Sequence, residues 1–533
     1  MAKTSVLENL IPPRDYHDLS QSVYGSMTWG LLYPVYSRFF NAGDVVRIQP
    51  SIVLRTSPTI APLFNRVDVR LHRFWCPRRL YHKAQRENSR SFDYTEAAKH
   101  VFPIGVARPS STGAPGRNIP GVGGLLDWLN LSPAYAETYS DSGSTFWLNA
   151  EPAIAYLDIV RNYYSFSKQN VFSYMSHDEG SSTYEQMYTT VDSLDYFVES
   201  VYNSSQPVAV GTLSYPGHLS LAWPMGTGSL WVTASNHLGC LAVAPSSPDG
   251  LSRFIPNVSS DAIALPSTIP SLAVASRVQS IKDILAAAGT RFTDYLYAFF
   301  KTSIPHSDIP SLLYSGHLDL NTGVLFNASG DSVSASIGGG SLGSFVGTNT
   351  ASGQLSSRRY KFDEPGYLID IVSIRPVYAW AGSIPYWNID LSGNYAFLPK
   401  LNRIGYRATN TLEYGFASFD TQNNREPTYT KVPFWHEFRS SVDQIHGSLR
   451  FVPFKTAQNV ESYWVNQRDP RDLVVPESSQ VYSERYLYHD MATINSIFPV
   501  TSFDVDNTYF SAYYKVGLSS YVSKQFATDL SSR

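Results

Sequence analysis

Cysteine is almost missing from this chain of 533 residues, which contains only two cysteines and no C-x-x-C pair. A disulfide framework and a cysteine-bound zinc site are therefore excluded, and a reducing compartment is expected. The chain also lacks any uninterrupted run of about 18 apolar residues, and its first residues show no charged segment followed by an apolar core. These features predict neither membrane insertion nor export through a conventional signal.

Motifs of catalysis are missing or badly placed. The chain has no G-x-x-x-x-G-K-[ST] and no H-E-x-x-H. One G-x-S-x-G, at residues 339–343, lies in a Gly/Ser tract, so a flexible loop is favoured over a hydrolase nucleophile. The consecutive residues His177, Asp178 and Glu179 favour a solvated acidic loop over a metal site. We therefore predict no enzymatic activity, no cofactor and no bound metal.

Aromatic residues are abundant, with 36 Tyr, 28 Phe and 10 Trp, whereas only 16% of residues are charged. Aromatic side chains favour strands, cores and interfaces. The length exceeds what one core needs, so it allows two to four domains, or one domain with large insertions. A broad contact surface is expected in either case.

Positive charge is concentrated near the start of the chain. Residues 1–90 contain 13 Lys plus Arg and 6 Asp plus Glu, a net +7, which leaves −10 for the remainder. One stretch holds eight cationic candidates for contacts with DNA or with another subunit: Arg66, Arg70, Arg73, Arg78, Arg79, Lys83, Arg86 and Arg90. Phe74, Trp75 and Tyr81 lie among them, and cations beside stacking aromatics are typical of single-strand binding. Arginines that pair with carboxylates of neighbouring subunits or loops explain the same pattern, so both interpretations stay open.

Short strands dominate the periodicity. Residues 67–72 alternate Val, Val and Leu with Asp, Arg and His, which predicts a strand with one apolar and one charged face. Pro58 and Pro62 separate it from the strand predicted at 44–56, so the two need not be neighbours. Further strands are predicted at 366–376, 431–440, 446–454 and 509–517.

Helices and long connections complete the pattern. Helices are predicted at 151–164 and 273–288, with short helical turns in GLLDWLNL and RFTDYLYAFF. Residues 101–150 predict a loop-rich insertion, 198–271 an elaborated insertion and 330–358 a Gly/Ser-rich loop. Dispersed strands with long connections favour a β-sandwich or barrel with large insertions.

Six segments occur in an order that is hard to obtain by chance. They are NAGDVVRI through RTSPTIAPLFNRVDVRLHRFWCPRRL, IAYLDIVRNYY, DYF at 195–197, AAGTRFTDYLYAFF, DEPGYLIDIVSIRP and WHEFRSSVDQIHGSLR. In content and order these segments resemble the major capsid proteins of the Microviridae, and among them the gokushovirus-like members. These viruses are small icosahedral bacteriophages with circular single-stranded DNA.

The resemblance implies one jelly-roll domain over residues 1–533, with eight antiparallel strands and expanded loops. It implies copies that assemble into a T=1 icosahedral shell around the genome, in a virion built in the bacterial cytoplasm. The implied partners are further copies of the chain, single-stranded DNA, minor or pilot and scaffolding proteins, and a host surface receptor. Residues 198–271 are then expected to form a surface protrusion that contacts the host.

Two other functions fit parts of the pattern. A phage carbohydrate-binding or depolymerase β-sandwich is also rich in aromatics, and it requires carboxylates that converge in a groove. A monomeric single-strand DNA-binding protein shares the basic aromatic stretch, but such proteins are more basic and shorter.

Overall fold

Ten strands form one curled antiparallel sheet that encloses the core. The structure is a computed structural model, and it describes the following parts of the chain: residues 13–30, 32–81, 85, 88, 103–107, 125–131, 145–149, 151–164, 172–177, 184–189, 213–214, 238–239, 241–242, 291–304, 307, 309–326, 345–380, 384–391, 393, 395–414, 428–441, 443–450, 464–468, 497–499 and 506–524.

The strands are short apart from those that build the barrel, and there are few helices in the described residues. In chain order the strands are β1 (Asp15–Asp18), β2 (Gln21–Met27), β3 (Leu32–Phe40), β4 (Val45–Thr56), β5 (Val67–Pro77), β6 (Pro103–Ala107), β7 (Thr145–Asn149), β8 (Phe172–His177), β9 (Tyr184–Thr189), β10 (Leu213–Ser214), β11 (Leu238–Gly239), β12 (Leu241–Ala242), β13 (Ser311–Phe326), β14 (Phe345–Gln354), β15 (Arg358–Lys361), β16 (Gly366–Pro376), β17 (Ala379–Trp380), β18 (Tyr406–Asn410), β19 (Thr428–Pro433), β20 (Gln467–Arg468) and β21 (Thr508–Ser520). The α-helices are Leu125–Trp128, Glu151–Ile159, Phe292–Phe300 and Tyr386–Ile389, and a π-helix spans Val160–Tyr164. Turns of 3-10 helix cover Arg78–Tyr81, Pro399–Leu401, Thr411–Tyr414, His436–Phe438 and Gly447–Leu449.

The strand order is that of a jelly roll. Across the sheet the order is β1 and β2, β21, β4, β14 and β15, β13, β5, β16, β3. The first four positions form what we call sheet I, and the last four form sheet II. Every pairing within and between them is antiparallel. This eight-position antiparallel arrangement confirms the predicted mainly β, jelly-roll-like fold.

A single long strand joins the two sheets. The first part of β13 pairs with β5, from Ser311 to Leu320, and the second part pairs with β14, from Asn321 to Phe326. The strands β4 and β5 lie in different sheets and are not neighbours, which agrees with the expectation that the two need not be adjacent.

Alternating side chains from both sheets meet in the core. From β5, Val67, Val69 and Leu71 point inward. Tyr36 of sheet II stacks on Tyr514 of sheet I with ring centroids 4.6 Å apart. Aromatic and β-branched residues of this kind suit a pleated surface that is buried on one side, which explains why these segments are strands.

An insertion covers the outer face of sheet II. The helix Glu151–Ile159 continues into the π-helix, and the Tyr156 hydroxyl donates to the carbonyl of Leu32 at 2.9 Å. The ring of Tyr163 lies 4.8 Å from that of Phe74 on the outer side of β5. The predicted helix at 151–164 is therefore confirmed, and it separates this face from solvent.

Several sequence-based predictions need correction. The Gly/Ser-rich loop expected at 330–358 contains β14, because Phe345–Gln354 alternates buried Asn349 and Ala351 with more exposed neighbours and pairs on both sides. The strand expected at 446–454 begins instead as a 3-10 turn, since Gly447 has φ +69. The strand at 431–440 ends at Pro433, before Trp435 with φ +66.

Other predictions fall on residues that the structure does not describe. These are the helix at 273–288, the G-x-S-x-G at 339–343, the acidic residues Asp178 and Glu179, and most of 198–271. Among the helices that are described, none has both the length and the apolar character needed to cross a bilayer.

Candidate functional site: the basic strand and the apolar insertion

Arg73 lies in the core and not on the surface of the barrel. Its Nε and Nη2 donate to the two carboxylate oxygens of Asp370, each at 2.7 Å, and both side chains are fully buried. The two residues face each other across β5 and β16. A guanidinium in this position reaches neither a phosphate nor another subunit, which corrects the surface role expected for Arg73.

Tyrosines surround this buried ion pair. Burial raises the pKa of Tyr36 to about 12 and raises the pKa of Tyr514 well above its usual value. The Arg73 guanidinium carbon lies 5.6 Å from the ring centroid of Tyr360 and 5.8 Å from that of Tyr314. The phenols of Tyr36 and Tyr514 therefore stay neutral, and the rings of Tyr360 and Tyr314 lie beside the guanidinium.

Arg78 and Arg79, in the 3-10 turn after β5, pair with carboxylates of the chain's own loops. Arg79 is buried, and its Nε donates to Glu364 at 2.9 Å while its Nη2 donates to the carbonyl of Ser307 at 2.7 Å. Arg78 donates to Glu151 at 2.9 Å, at the start of the helix that covers sheet II. Burial raises the pKa of Glu364 even though Arg79 opposes the shift. These two ion pairs therefore join the segments that carry Glu151 and Glu364 to the end of β5.

Arg66 and Arg70 are the described members of the basic stretch that reach solvent, with side chains 54% and 39% exposed. Both contact Asp68, at 2.8 and 3.4 Å. Arg66 also lies 2.5 Å from Asp319. Burial acts to raise the pKa of Asp68, but a hydrogen bond with His317 and the charges of Arg66 and Arg70 outweigh it, so the pKa is lowered.

Asp68, His317 and Asp319 form a group whose ligand atoms are close enough to surround a metal ion. His317 Nε2 lies 3.2 Å from Asp68 and 3.4 Å from Asp319. The guanidinium of Arg66 contacts all three residues. The carboxylates are therefore already paired with a cation, and the group is best described as a surface ion-pair network.

Lys83, Arg86 and Arg90 lie outside the described residues. A DNA-facing or intersubunit role therefore stays a prediction for them, and also for the solvent-exposed Arg66 and Arg70. The structure does not bring the five described cations together into one patch. Three of the five described members are tied to carboxylates in buried or partly buried positions.

A second surface was not singled out by the sequence. The described residues 384–414 and 428–450, between β17 and β20, form what we call the apolar insertion. It contains ten of the 23 exposed large hydrophobic side chains of the described residues: Ile384, Trp387, Leu391, Tyr395, Phe397, Leu398, Leu401, Ile404, Tyr406 and Phe438. Leu391 is 98% exposed and Tyr406 is 70% exposed. Ten exposed large apolar side chains within one insertion make it a candidate interaction surface.

Polar contacts hold the apolar insertion in one conformation. Arg407 donates to both carboxylate oxygens of Glu413, at 2.7 and 2.9 Å, and lies 3.4 Å from Glu437. Its guanidinium carbon is 3.8 Å from the ring centroid of Tyr386. The antiparallel pair β18 and β19 adds backbone hydrogen bonds. The exposed apolar side chains are therefore presented on an ordered framework.

The sequence held a signal for the buried ion pair but not for this surface. Arg73 falls on the same alternation as Val69 and Leu71, and Asp370 on the same alternation as Leu368 and Val372. Opposite charges on the apolar faces of two strands predict that these strands are neighbours. Ile384, Trp387, Leu391, Tyr395 and Leu398 are spaced by three or four residues, as on the buried face of a helix, so periodicity does not mark them as an exposed surface.

Comparisons with known proteins complete the description of the chain. No curated protein matches it. The sequence model of one family, described as capsid protein (F protein), matches residues 6–470, which is most of the chain. The jelly-roll order of the ten-stranded sheet agrees with that match. The chain therefore belongs to the capsid protein (F protein) family, the major capsid proteins of the Microviridae.

Proposed function

We propose that copies of this chain assemble into a closed T=1 icosahedral shell around a circular single-stranded DNA genome. The chain then works by association and catalyses no reaction. Membership of the capsid family supports this proposal. The observation that carries it is the apolar insertion, where ordered backbone presents ten large exposed apolar side chains. A shell gives every copy a neighbour to cover such a surface.

The magnitudes favour burial between copies. Fully burying one large apolar side chain contributes about 1.5–3 kcal/mol. Ten partly exposed side chains therefore provide on the order of 10 kcal/mol before ordering costs, and association costs about 4–15 kcal/mol. One contact of this kind is close to balance, so isolated pairs of subunits are weakly held. Several contacts per subunit around closed symmetry axes make the whole shell stable.

Charge placed on the apolar insertion tests the proposal. We expect Leu391→Asp combined with Tyr406→Asp to abolish closed particles, because two charges would have to be buried at the contact. Val522→Asp is the matched control, since Val522 is 58% exposed but lies after β21. Negative-stain electron microscopy and sedimentation measure particle formation, and circular dichroism checks folding. Normal particles from the double variant contradict the role of this surface.

The mass of the purified assembly separates this function from its two rivals. A shell gives closed particles of megadalton size. A carbohydrate-binding or depolymerase protein gives a small oligomer, and a single-strand DNA-binding protein of the simpler kind gives a monomer. A homogeneous monomer or small oligomer under assembly conditions contradicts the proposed shell.

The finer partners belong to the same proposal. They are minor or pilot proteins, scaffolding proteins and a host receptor, in a virion assembled in the bacterial cytoplasm. Host contact is assigned to residues 198–271, where β10 and β11 form an antiparallel pair. Replacing residues 215–237 by a short linker between these strands is expected to preserve particles and to reduce adsorption. Unchanged adsorption of the shortened particles contradicts this assignment.

A further inference from the structure

We propose that the outer face of sheet I binds single-stranded nucleic acid, a proposal that rests on the proposed enclosure of a single-stranded genome. The face combines four tyrosines with four cations: Tyr16, Tyr24, Tyr509, Tyr513, Arg47, Arg55, Arg359 and Lys515. We call it the tyrosine face. It lies on the opposite side of the barrel wall from the core and outside the basic stretch around β5.

The alternation of β21 and β4 creates this face. In β21, Phe510, Ala512 and Tyr514 point into the core, so Tyr509 and Tyr513 point outward and are 58% and 50% exposed. In β4, Ile48, Ile52 and Leu54 point inward. The outward positions of β4 include the exposed residues Arg47 and Arg55.

Strand register brings rings and cations together. Tyr509 lies directly opposite Arg55. Tyr24, which is 75% exposed, lies opposite Ser511 and is therefore diagonal to both Tyr509 and Tyr513. Diagonal neighbours on a sheet are about 7–8 Å apart, within reach of aromatic side chains. The three rings therefore lie on one face as diagonal neighbours, and Arg55 lies opposite Tyr509.

The far end of the face is positively charged. Arg47 lies directly opposite Arg359 of β15, and both are exposed. Like charges in directly opposed positions destabilise a sheet unless an anion lies between them. Neither arginine forms an ion pair with another described residue, although Arg47 donates to the Ser357 hydroxyl at 2.9 Å.

Two carboxylates border the face that carries these cations. Asp18 lies opposite Gly517 at the edge strand β1, and it accepts hydrogen bonds from the backbone and side chain of Ser20. These hydrogen bonds lower the pKa of Asp18, and the positive charge of Lys515 lowers it further. Asp506 lies at the other end of the face, where it accepts a hydrogen bond from Ser26, the residue opposite Tyr509. Two acids against four cations leave these described residues with a net positive charge. The contrast is the surface around Arg66, where Asp68 and Asp319 balance the arginines.

The rings and cations of the tyrosine face indicate which ligand it binds. A single strand offers phosphates for cations and unpaired bases for stacking, and stacking on exposed aromatic rings tolerates any sequence. From Tyr509 to Gly517 the face is about 27 Å long at roughly 3.4 Å per residue, which accommodates several nucleotides. An apolar protein partner would leave the four cations without counter-charges. An acidic protein partner would pair with the cations but would leave the three exposed rings without a stacking partner. The second of these two partners is tested below as the competing outcome.

The test measures binding of a fluorescein-labelled oligothymidylate of about 15 nucleotides to the purified full chain, by fluorescence anisotropy over a range of salt concentrations. Tyr509→Ala and Tyr513→Ala should each weaken binding about 5- to 150-fold, the effect of losing one stacked base. Tyr509→Phe keeps the ring and should retain the affinity. All of these side chains are exposed, so folding should be preserved.

A charge variant provides an independent measurement. Replacing both opposed arginines, Arg47→Gln with Arg359→Gln, should reduce the slope of log K against log salt by about 1.4, since each phosphate contact with a single strand contributes about 0.7. The matched control is Arg375→Gln with Lys431→Gln, two exposed cations that belong neither to the tyrosine face nor to the basic stretch. This control should leave the slope unchanged.

The inference is overturned if the parent chain does not bind the oligonucleotide, or if both the tyrosine and the arginine variants bind with the affinity and salt slope of the parent. It is also overturned if these variants prevent particle formation while oligonucleotide binding is unchanged, because the face then contacts protein. Failure of the proposed shell is distinguished by electron microscopy of the parent chain. If particles form normally and the tyrosine-face variants do not change nucleic-acid binding, only the proposed nucleic-acid site is refuted.

Discussion

Removing one partner of the Arg73–Asp370 pair should destabilise the protein more than any surface substitution. Both side chains are fully buried, and two charge-assisted hydrogen bonds of 2.7 Å join them. Arg73→Met leaves the Asp370 carboxylate without its cation in the core, and such a loss costs about 3–5 kcal/mol. Replacing both residues, as Arg73→Met with Asp370→Leu, removes both charges. The double variant should recover most of the lost stability, because apolar replacement of a buried pair is often neutral.

Urea unfolding of the dissociated subunit measures these changes. Tryptophan fluorescence is a suitable signal, since Trp29 and Trp75 are buried in the core. The matched control is Lys361→Met, which breaks a pair with Asp363 whose side chains are 56% and 42% exposed and should change the free energy of unfolding by less than about 1 kcal/mol. If Arg73→Met costs no more than this control, or if the double variant is as unstable as the single one, the reasoning is refuted.

Three further changes test the fold. Gly366→Ala should cost about 1–3 kcal/mol in thermal unfolding, because its Cβ would clash with the backbone carbonyl of Cys76. Gly323→Ala, whose nearest contact is the Thr348 hydroxyl at 3.0 Å, should cost less, and equal losses contradict this account. Thr508→Val leaves the buried Trp29 indole N–H without its acceptor at 2.8 Å and should cost about 1–3 kcal/mol, whereas Thr508→Ser should not. Burial, with Arg70 and Arg375, lowers the pKa of His72 below its usual 6.5, so stability is full above that pH and declines as pH falls below it, by at most about 1.4 kcal/mol per unit. His72→Gln should flatten the stability profile below about pH 6.5, and an unchanged profile means that other groups titrate there.

The barrel strands could be predicted from the sequence because each carries its own signal. Apart from the charges of Arg73 and Asp370, Gly366–Pro376 and Val67–Pro77 are apolar on the core side, and period-two alternation marks β21 clearly. The strand β14 has no such signal, since FVGTNTASGQ contains few bulky residues. Its strand conformation comes from the two neighbours β13 and β4, to which it hydrogen-bonds.

The candidate surfaces were harder to predict because pairing partners are far apart in the chain. Arg73 and Asp370 are 297 positions apart, and Arg79 and Glu364 are 285 apart. A dense run of cations therefore resembled one surface, whereas its members face the core, the loops and the solvent. The cations of the tyrosine face, in contrast, are dispersed over β4, β15 and β21 and become neighbours only through the sheet register.

Because β21 is an inner strand of sheet I, its late synthesis determines when sheet I can be completed. Its pairing with β4 is extended by a hydrogen bond between Ser57 and Asn507, two residues 450 positions apart. At about 5–20 residues per second, a ribosome takes roughly 20–90 s to reach this strand after it has made β4. Throughout that interval the nascent chain carries an open strand edge beside which any other extended chain can pair. Protection of that edge during translation is thus a requirement that the topology itself places on the cell.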